Sequence, residues 1–178
     1  MDQRIISLCS LTSRDSVLDL GCGPGRIAYW IAPKVFTLTG IDVSNVMHDR
    51  AVERCEKLSN ATFIQNNGND LSAVKDSSID VVYSFACFIH LPPDVQVSYE
   101  REILRVLRPG GLGLVHVRHN QVLEHTIRTY TGTSYSEERV KEIQNLPNVK
   151  EATLLPIDRC DDLVENLDHR RWLLILKK

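Results

Sequence analysis

The sequence predicts an α/β domain: a doubly wound, mostly parallel sheet with helices on both faces. Three observations predict it. Strand-like and helix-like patterns alternate from Val17 to Val117. The strand-like runs are short and apolar, "VLDL" and "IDVVYSF" for example, as strands covered on both faces must be. The glycine-rich stretch "GCGPG" falls where the first strand meets the first helix, the usual place for a ligand in such a sheet.

Residues 2–11 form a short amphipathic pattern, and Val17–Leu20 reads as a buried strand. "GRIAYWIAPK" then reads as a helix from Gly25, ended near Pro33. Residues 35–42, "VFTLTGID", are rich in β-branched and aromatic side chains and form the second strand. Ser44 can cap a helix running to about Leu58. Residues 61–65 and 79–85 are the third and fourth strands. Asp94 is expected to cap the next helix, whose Tyr99, Ile103, Val106 and Leu107 recur at helical spacing. "RPGG" should stop it, and residues 112–117 form a fifth strand. Residues 119–131 look helical, and Ser136 opens a helix to about Asn145. "EATLLPI" and "RWLLILKK" close the sheet as an antiparallel, hairpin-like pair, with residues 158–169 assigned to neither.

The 178 residues suffice for a single domain with a sizeable core. Net charge is -2, with acids and bases interleaved, which argues against nucleic acid and anionic membranes as partners. The small basic cluster of His169, Arg170, Arg171, Lys177 and Lys178 reads as solvated surface. Cys9, Cys22, Cys55, Cys87 and Cys160 lie far apart, without the spacing of a zinc or redox site. They read as the reduced thiols of a cytoplasmic protein, and no metal site is expected. The first sixteen residues lack the apolar stretch of a signal peptide, and no run approaches the ~20 apolar residues of a membrane helix.

Asp19, Gly21, Gly23 and Gly25 follow one another at alternate positions. A bare strand-to-helix turn needs one glycine or two, so three behind an acid point to a ligand. A dinucleotide site would use Gly-x-Gly-x-x-Gly, but its last position here is Arg26, which would spoil close helix packing. Asp19 would also repel a pyrophosphate and suits a cationic amine. Asp42, ending the second strand, is placed to take two ribose hydroxyls. The ligand should therefore carry a ribose and an ammonium group.

These residues resemble the class I S-adenosylmethionine-dependent methyltransferases. The resemblance runs from about Ser16 to the last strand, through "VLDLGCGPGR", "GIDVS", "NDL", "DVVYSFACFIHLPP" and "EILRVLRPGGLGLVHV". It implies one domain over residues 1–178, with a seven-stranded sheet whose last strand is antiparallel. It implies S-adenosylmethionine as cofactor and S-adenosylhomocysteine as product. Asp19 would lie near the methionine amino group, and the main chain of Gly21, Cys22, Gly23 and Gly25 would pass the methionine and ribose. Asp42 would hold the ribose hydroxyls, and Val43 would lie against the adenine. Asp70 would accept from the adenine amino group, with Leu71 beside the ring. Ser84, Phe85 and Ala86 would line the methyl end.

A sulfonium methyl is already electrophilic, so a base is needed only for a protonated acceptor. His90 and His119 are the candidate catalytic bases; His116 reads as packing, and Tyr130 is a weaker candidate. The motif of base-amino methylating enzymes is absent after strand four, where the chain reads "YSFACF", and no acid cluster suits a metal-dependent catechol-type enzyme. Cys87 is preceded by Ala86, not by the proline of cytosine-methylating enzymes. Only about fifteen residues precede the first motif, where many relatives carry a lid. Cover for the acceptor must come from residues 118–146, from a partner chain such as a second copy, or from the acceptor. A small-molecule acceptor is the first expectation. A protein acceptor, and a non-catalytic interaction or regulatory subunit, stand as alternatives. A nicotinamide-dependent enzyme conflicts with Arg26 and Asp19, and aminopropyl transfer with the lack of extra acids near strand four.

Overall fold

The sheet of the computed structural model, which describes residues 9–119, 134–156 and 171–178, begins with β1 (Ser16–Leu20), an interior strand. Side chains alternate across a strand, so Leu18 and Leu20 enter one core while Val17 enters the other. The order along the chain is β1, α1 (Arg26–Ile31), a 3-10 turn at Ala32–Lys34, β2 (Thr37–Asp42), α2 (Asn45–Arg54), β3 (Ala61–Gln65) and β4 (Ile79–Ser84). A 3-10 turn at Phe88–His90, α3 (Pro93–Val106), β5 (Leu107–His119), β6 (Ser134–Tyr135), α4 (Glu137–Gln144), β7 (Glu151–Pro156) and β8 (Arg171–Lys177) follow.

The spatial order is β3-β2-β1-β4-β5-β8-β7, with the two-residue β6 beside the end of β5. β1 to β5 are mutually parallel, and β8 runs antiparallel to both β5 and β7. The seven long strands and the antiparallel last one match the expectation. One face carries α3 and α4, burying Tyr99, Ile103 and Ile143 against Leu18, Val82 and Val115. The other carries α1 and α2, burying Ala28, Ile31 and Cys55 against Val17, Tyr83 and Leu114.

Two local expectations are corrected. Asp94 does not cap α3. Pro92 is the N-cap and Pro93 the first helical residue, leaving Asp94 in the first turn; proline fits there because its missing N–H would have had no partner. Nor does "RPGG" separate α3 from β5. The strand starts at Leu107, and the residues between Leu107 and Leu112 bulge out, since Ile79 pairs Leu107 while Val81 already pairs Leu112. Gly110 N–H donates to Lys178 O at 2.8 Å, and Lys178 N–H donates to Gly111 O, so the last residue satisfies the bulge. The helices expected over 2–11 and 119–131 fall almost wholly outside the described residues, as do Cys160, Tyr130 and the stretch 158–169.

Two polar networks tie α3 to its neighbours. Arg105 uses all five guanidinium N–H donors. Nε and Nη2 grip Glu102, at 2.8 Å each, Nη2 also reaches Leu71 O at 2.8 Å, and Nη1 reaches Val74 O at 3.0 Å and Asp76 at 2.5 Å. This binds the loop before β4 to α3. A hollow of about 390 Å³ beside it, lined by Arg105 and Lys178 among others, faces away from the glycine loop. Those two cations are already saturated, Lys178 Nζ by Ser77 Oγ, Arg105 O and Leu107 O. In the second network the carboxylate of Glu100, 1% exposed, accepts from Tyr135 Oη at 2.5 Å and from Arg139. Burial raises the Glu100 pKa, and Tyr135 and Arg139 partly offset it. The pair docks β6 and α4 onto α3.

Arg105→Lys keeps the charge but cannot fork onto Glu102 and two carbonyls together. It should lower stability by about 2 kcal/mol, read as a lower urea midpoint with unchanged slope.

Candidate cofactor site

The chain runs outward from β1 to β2 and β3, then returns to place β4 on the other side of β1. The strand order thus reverses at β1, and ligands of doubly wound sheets bind beyond the carboxyl ends of the strands at such a point. The glycine loop, Asp42 and the turn at Phe85–Cys87 all meet at this end.

The glycine loop is held from β2. Gly21 and Cys22 N–H both donate to Ile41 O, at 2.8 and 3.0 Å, and Gly23 N–H donates to Asp42 Oδ2 at 2.8 Å. Gly21 sits at φ 76°, and a Cβ there would lie 2.6 Å from both Cβ and Sγ of Cys87. Gly23, at φ 52°, would meet nothing within 4 Å, so bare main chain faces the open side. At Gly25 a Cβ would lie 3.1 Å from Ala51 Cα, so this glycine lets α1 approach α2. Arg26 is exposed as the first residue of α1. The close packing that a third glycine gives a dinucleotide site has moved one residue earlier.

Asp42 is fixed on both oxygens, since Oδ1 accepts from Ser44 N–H at 2.9 Å, while Ser44 Oγ caps α2 by accepting from Met47 N–H. Each carboxylate oxygen retains accepting capacity. Asp19, 2% exposed, is buried beside the Tyr83 hydroxyl, and its Oδ2 has no hydrogen-bond partner among the described residues. Burial pushes its pKa up to about 7; the Tyr83 hydroxyl beside it acts the other way, and the Asp42 charge adds to the rise. A buried carboxyl with an orphaned oxygen can take a cationic donor.

Past β3, Asp70 Oδ2 accepts from Asn67 Nδ2 at 2.7 Å and Oδ1 from Ser72 N–H at 2.9 Å. These bonds pull its pKa down to about 2, so it stays ionised. Val43, 61% exposed, presents an apolar face beside Gly68. Two of the expected lining residues, Leu71 and Ser84, have buried side chains. Leu71 is 1% exposed, its side chain consumed by the core under α3. Ser84 is fully buried, its Oγ donating to Leu20 O at 2.7 Å to tie β4 to β1. Phe85 is half-buried and stacks on His116, centroids 4.8 Å apart, and Ala86 is exposed.

His90 is exposed on the 3-10 turn after β4. Gln96 of α3 brackets that turn, its Nε2 donating to Phe88 O at 2.8 Å and Leu91 O at 3.2 Å. His119 ends β5, paired with Tyr135, and its side chain lies outside the described residues. His116 is buried, as a packing residue should be. Cys87 was not a sequence candidate; burial raises its thiol to about 11, so it packs against the loop as a neutral group. Nothing in the sequence shows that Cys87 packs against Gly21.

The fold is a doubly wound domain in which the glycine loop, Asp19 and Asp42 come together at the carboxyl ends of the strands. Residues 17–111 match the family described as methyltransferase domain, more than half of the chain, and the chain belongs to that family. It is 34% identical over 116 residues to methyltransferase GfsG of Streptomyces halstedii, a match covering 62% of this chain and 40% of that protein. It is 32% identical over 115 residues to the 27-O-demethylrifamycin SV methyltransferase of Amycolatopsis mediterranei, covering 62% and 41%. The matches thus span well under half the length of these two relatives. Among solved structures, the Burkholderia thailandensis 1,6-didemethyltoxoflavin-N1-methyltransferase, with bound 1,6-didemethyltoxoflavin and S-adenosylhomocysteine, has the same fold. Its TM-score is 0.75 at 15% identity, over 99% of this chain and 76% of that one. Among the described residues no helix is long and apolar enough to cross a membrane.

Two outcomes follow from this geometry. Gly21→Ala meets both a positive φ and the Cys87 side chain and should cost roughly 2–4 kcal/mol in urea unfolding. Gly23→Ala meets only the φ penalty and should cost about 1 kcal/mol. Asp19 ionises at about 7 when folded and at the ordinary 3.8 when unfolded. Its contribution is therefore fully present below about pH 4 and is lost as pH rises through 7. In ligand-free protein, the stability of wild type relative to Asp19→Asn should fall between pH 4 and pH 8. A flat difference would show that Asp19 is not buried as described.

Proposed function

We propose that the chain transfers the methyl group of S-adenosylmethionine to a small-molecule acceptor and releases S-adenosylhomocysteine. The observation that carries this reading is the pairing of Asp19, whose Oδ2 has no partner among the described residues, with the anchored Asp42, beside main chain left bare at Gly23. S-adenosylmethionine fits these residues, since it brings an ammonium for Asp19 and a ribose diol for the unused lone pairs of Asp42. When bound it supplies a methyl group activated on a sulfonium.

In this reading Asp19 holds the ammonium as an ionised carboxylate, and Asp42 accepts from the ribose hydroxyls. Val43 lies against the adenine ring, and Asp70, kept ionised by its loop, accepts from the adenine amino group. Phe85 and Ala86 wall the methyl end and exclude water there. His90, held in place by Gln96, takes the proton of an acceptor that arrives protonated; His119 is the second candidate for that role. The small-molecule acceptor is supported by the relatives, whose names give a rifamycin and a toxoflavin precursor.

Calorimetry with S-adenosylhomocysteine tests the site. We expect a roughly micromolar Kd, weakened at least about tenfold by Asp42→Ala, and no binding of NADH. Because the ammonium favours ionised Asp19, affinity should rise with pH up to about 7, with a proton released on binding below that pH. Proton release is read by repeating the titration in buffers of different ionisation enthalpy, and Asp19→Asn should abolish it. Folded protein that binds no S-adenosylhomocysteine would overturn the reading.

A further inference from the structure

We infer that His116 is a positioning residue that holds the methyl-facing turn after β4 in its working shape without touching the ligand; this rests on the cofactor reading above. Ala86 lies at φ 58°, a left-handed conformation that alanine adopts only when its surroundings enforce it. Three contacts enforce it. Ala86 N–H donates to His116 Nδ1 at 3.2 Å. The preceding Phe85 stacks on the same imidazole, planes 23° apart. The following Cys87 fills the space that a side chain on Gly21 would take.

His116 is suited to this task. It is 3% exposed between Val115 and Val117, which are buried in the opposite core, so the ring has little room to swing. Because Nδ1 accepts from Ala86, that nitrogen carries no proton, and the neutral ring has its proton on Nε2. One side chain near the carboxyl end of β5 thus sets both the direction of the Ala86 N–H and the tilt of Phe85. Through Cys87 the same turn is registered against the glycine loop. The wall at the methyl end and the main chain under the cofactor are therefore aligned by a residue one strand away.

Two substitutions separate the ring from its acceptor. His116→Phe keeps a stacking ring and loses the acceptor; His116→Asn keeps an acceptor near the Nδ1 position and loses the ring. The probes are S-adenosylhomocysteine, which spans the whole site, and adenosine, which lacks the amino-acid end. We expect His116→Phe to weaken S-adenosylhomocysteine about tenfold while adenosine changes by less than about twofold, and to speed Ala86 amide exchange about tenfold or more. His116→Asn should stay near wild type in all three. Adding Ala86→Gly to His116→Phe should recover most of the loss, because glycine takes this φ unaided. The proposal is overturned if His116→Phe matches wild type, if His116→Asn is equally damaging, or if both ligands weaken together. Wild type that binds neither ligand would defeat the cofactor reading, while Ala86 exchange in the two variants would still decide whether His116 holds the turn. Should His116→Phe fail to fold, the ¹⁵N spectrum of wild type decides: an unprotonated Nδ1 coupled to the Ala86 amide supports the proposal, and a protonated Nδ1 overturns it.

Discussion

A strand buried on both faces has nowhere to place a charge except at its end, and β1 is such a strand. Val17 fills one core and Leu18 and Leu20 fill the other, so the sheet depends on β1 remaining apolar. Asp19 breaks that rule just before the chain leaves the sheet. Its carboxyl is almost wholly shielded, and its proton affinity rises by desolvation. The cost of that burial falls away once a cation sits on the orphaned oxygen.

Around this acid the loops of three parallel strands interlock through main-chain groups. Ile41 O receives two N–H groups of the glycine loop, Asp42 a third, and the turn after β4 sits against Gly21. The glycines divide the work. Gly21 makes room for a neighbouring loop, Gly23 leaves the main chain open, and Gly25 lets two helices close. A substitution at each would fail for a different reason, although the three look equivalent as a motif.

Much of this was legible in the sequence because it depends on short-range pattern. The alternation of strands and helices and the helix faces follow from periodicity, and Asp19, the glycines and Asp42 follow from where strands end. The burial of individual side chains was less legible. Leu71 and Ser84 sit in motif positions, but whether a side chain faces crevice or core depends on its packing: Leu71 falls under α3, and Ser84 turns to the carbonyl of Leu20. Asp94 looked like a cap because it precedes the helical pattern, but the two prolines start the helix earlier. Cys87 and His116 carry no local signal, since each acts on a residue far away in the chain.

The sequence by itself determined the alternating architecture, the glycine turn and the acid at the end of each of the first two strands. Those features are properties of neighbouring residues, set by alternation, by turn chemistry and by the absence of a Cβ. Tertiary structure alone decided which of these groups share a site, which oxygen of Asp19 is left without a partner, and that a histidine inside β5 shapes the turn leaving β4. Such facts depend on which strands lie side by side and on how deeply each group is buried, and a linear pattern carries neither.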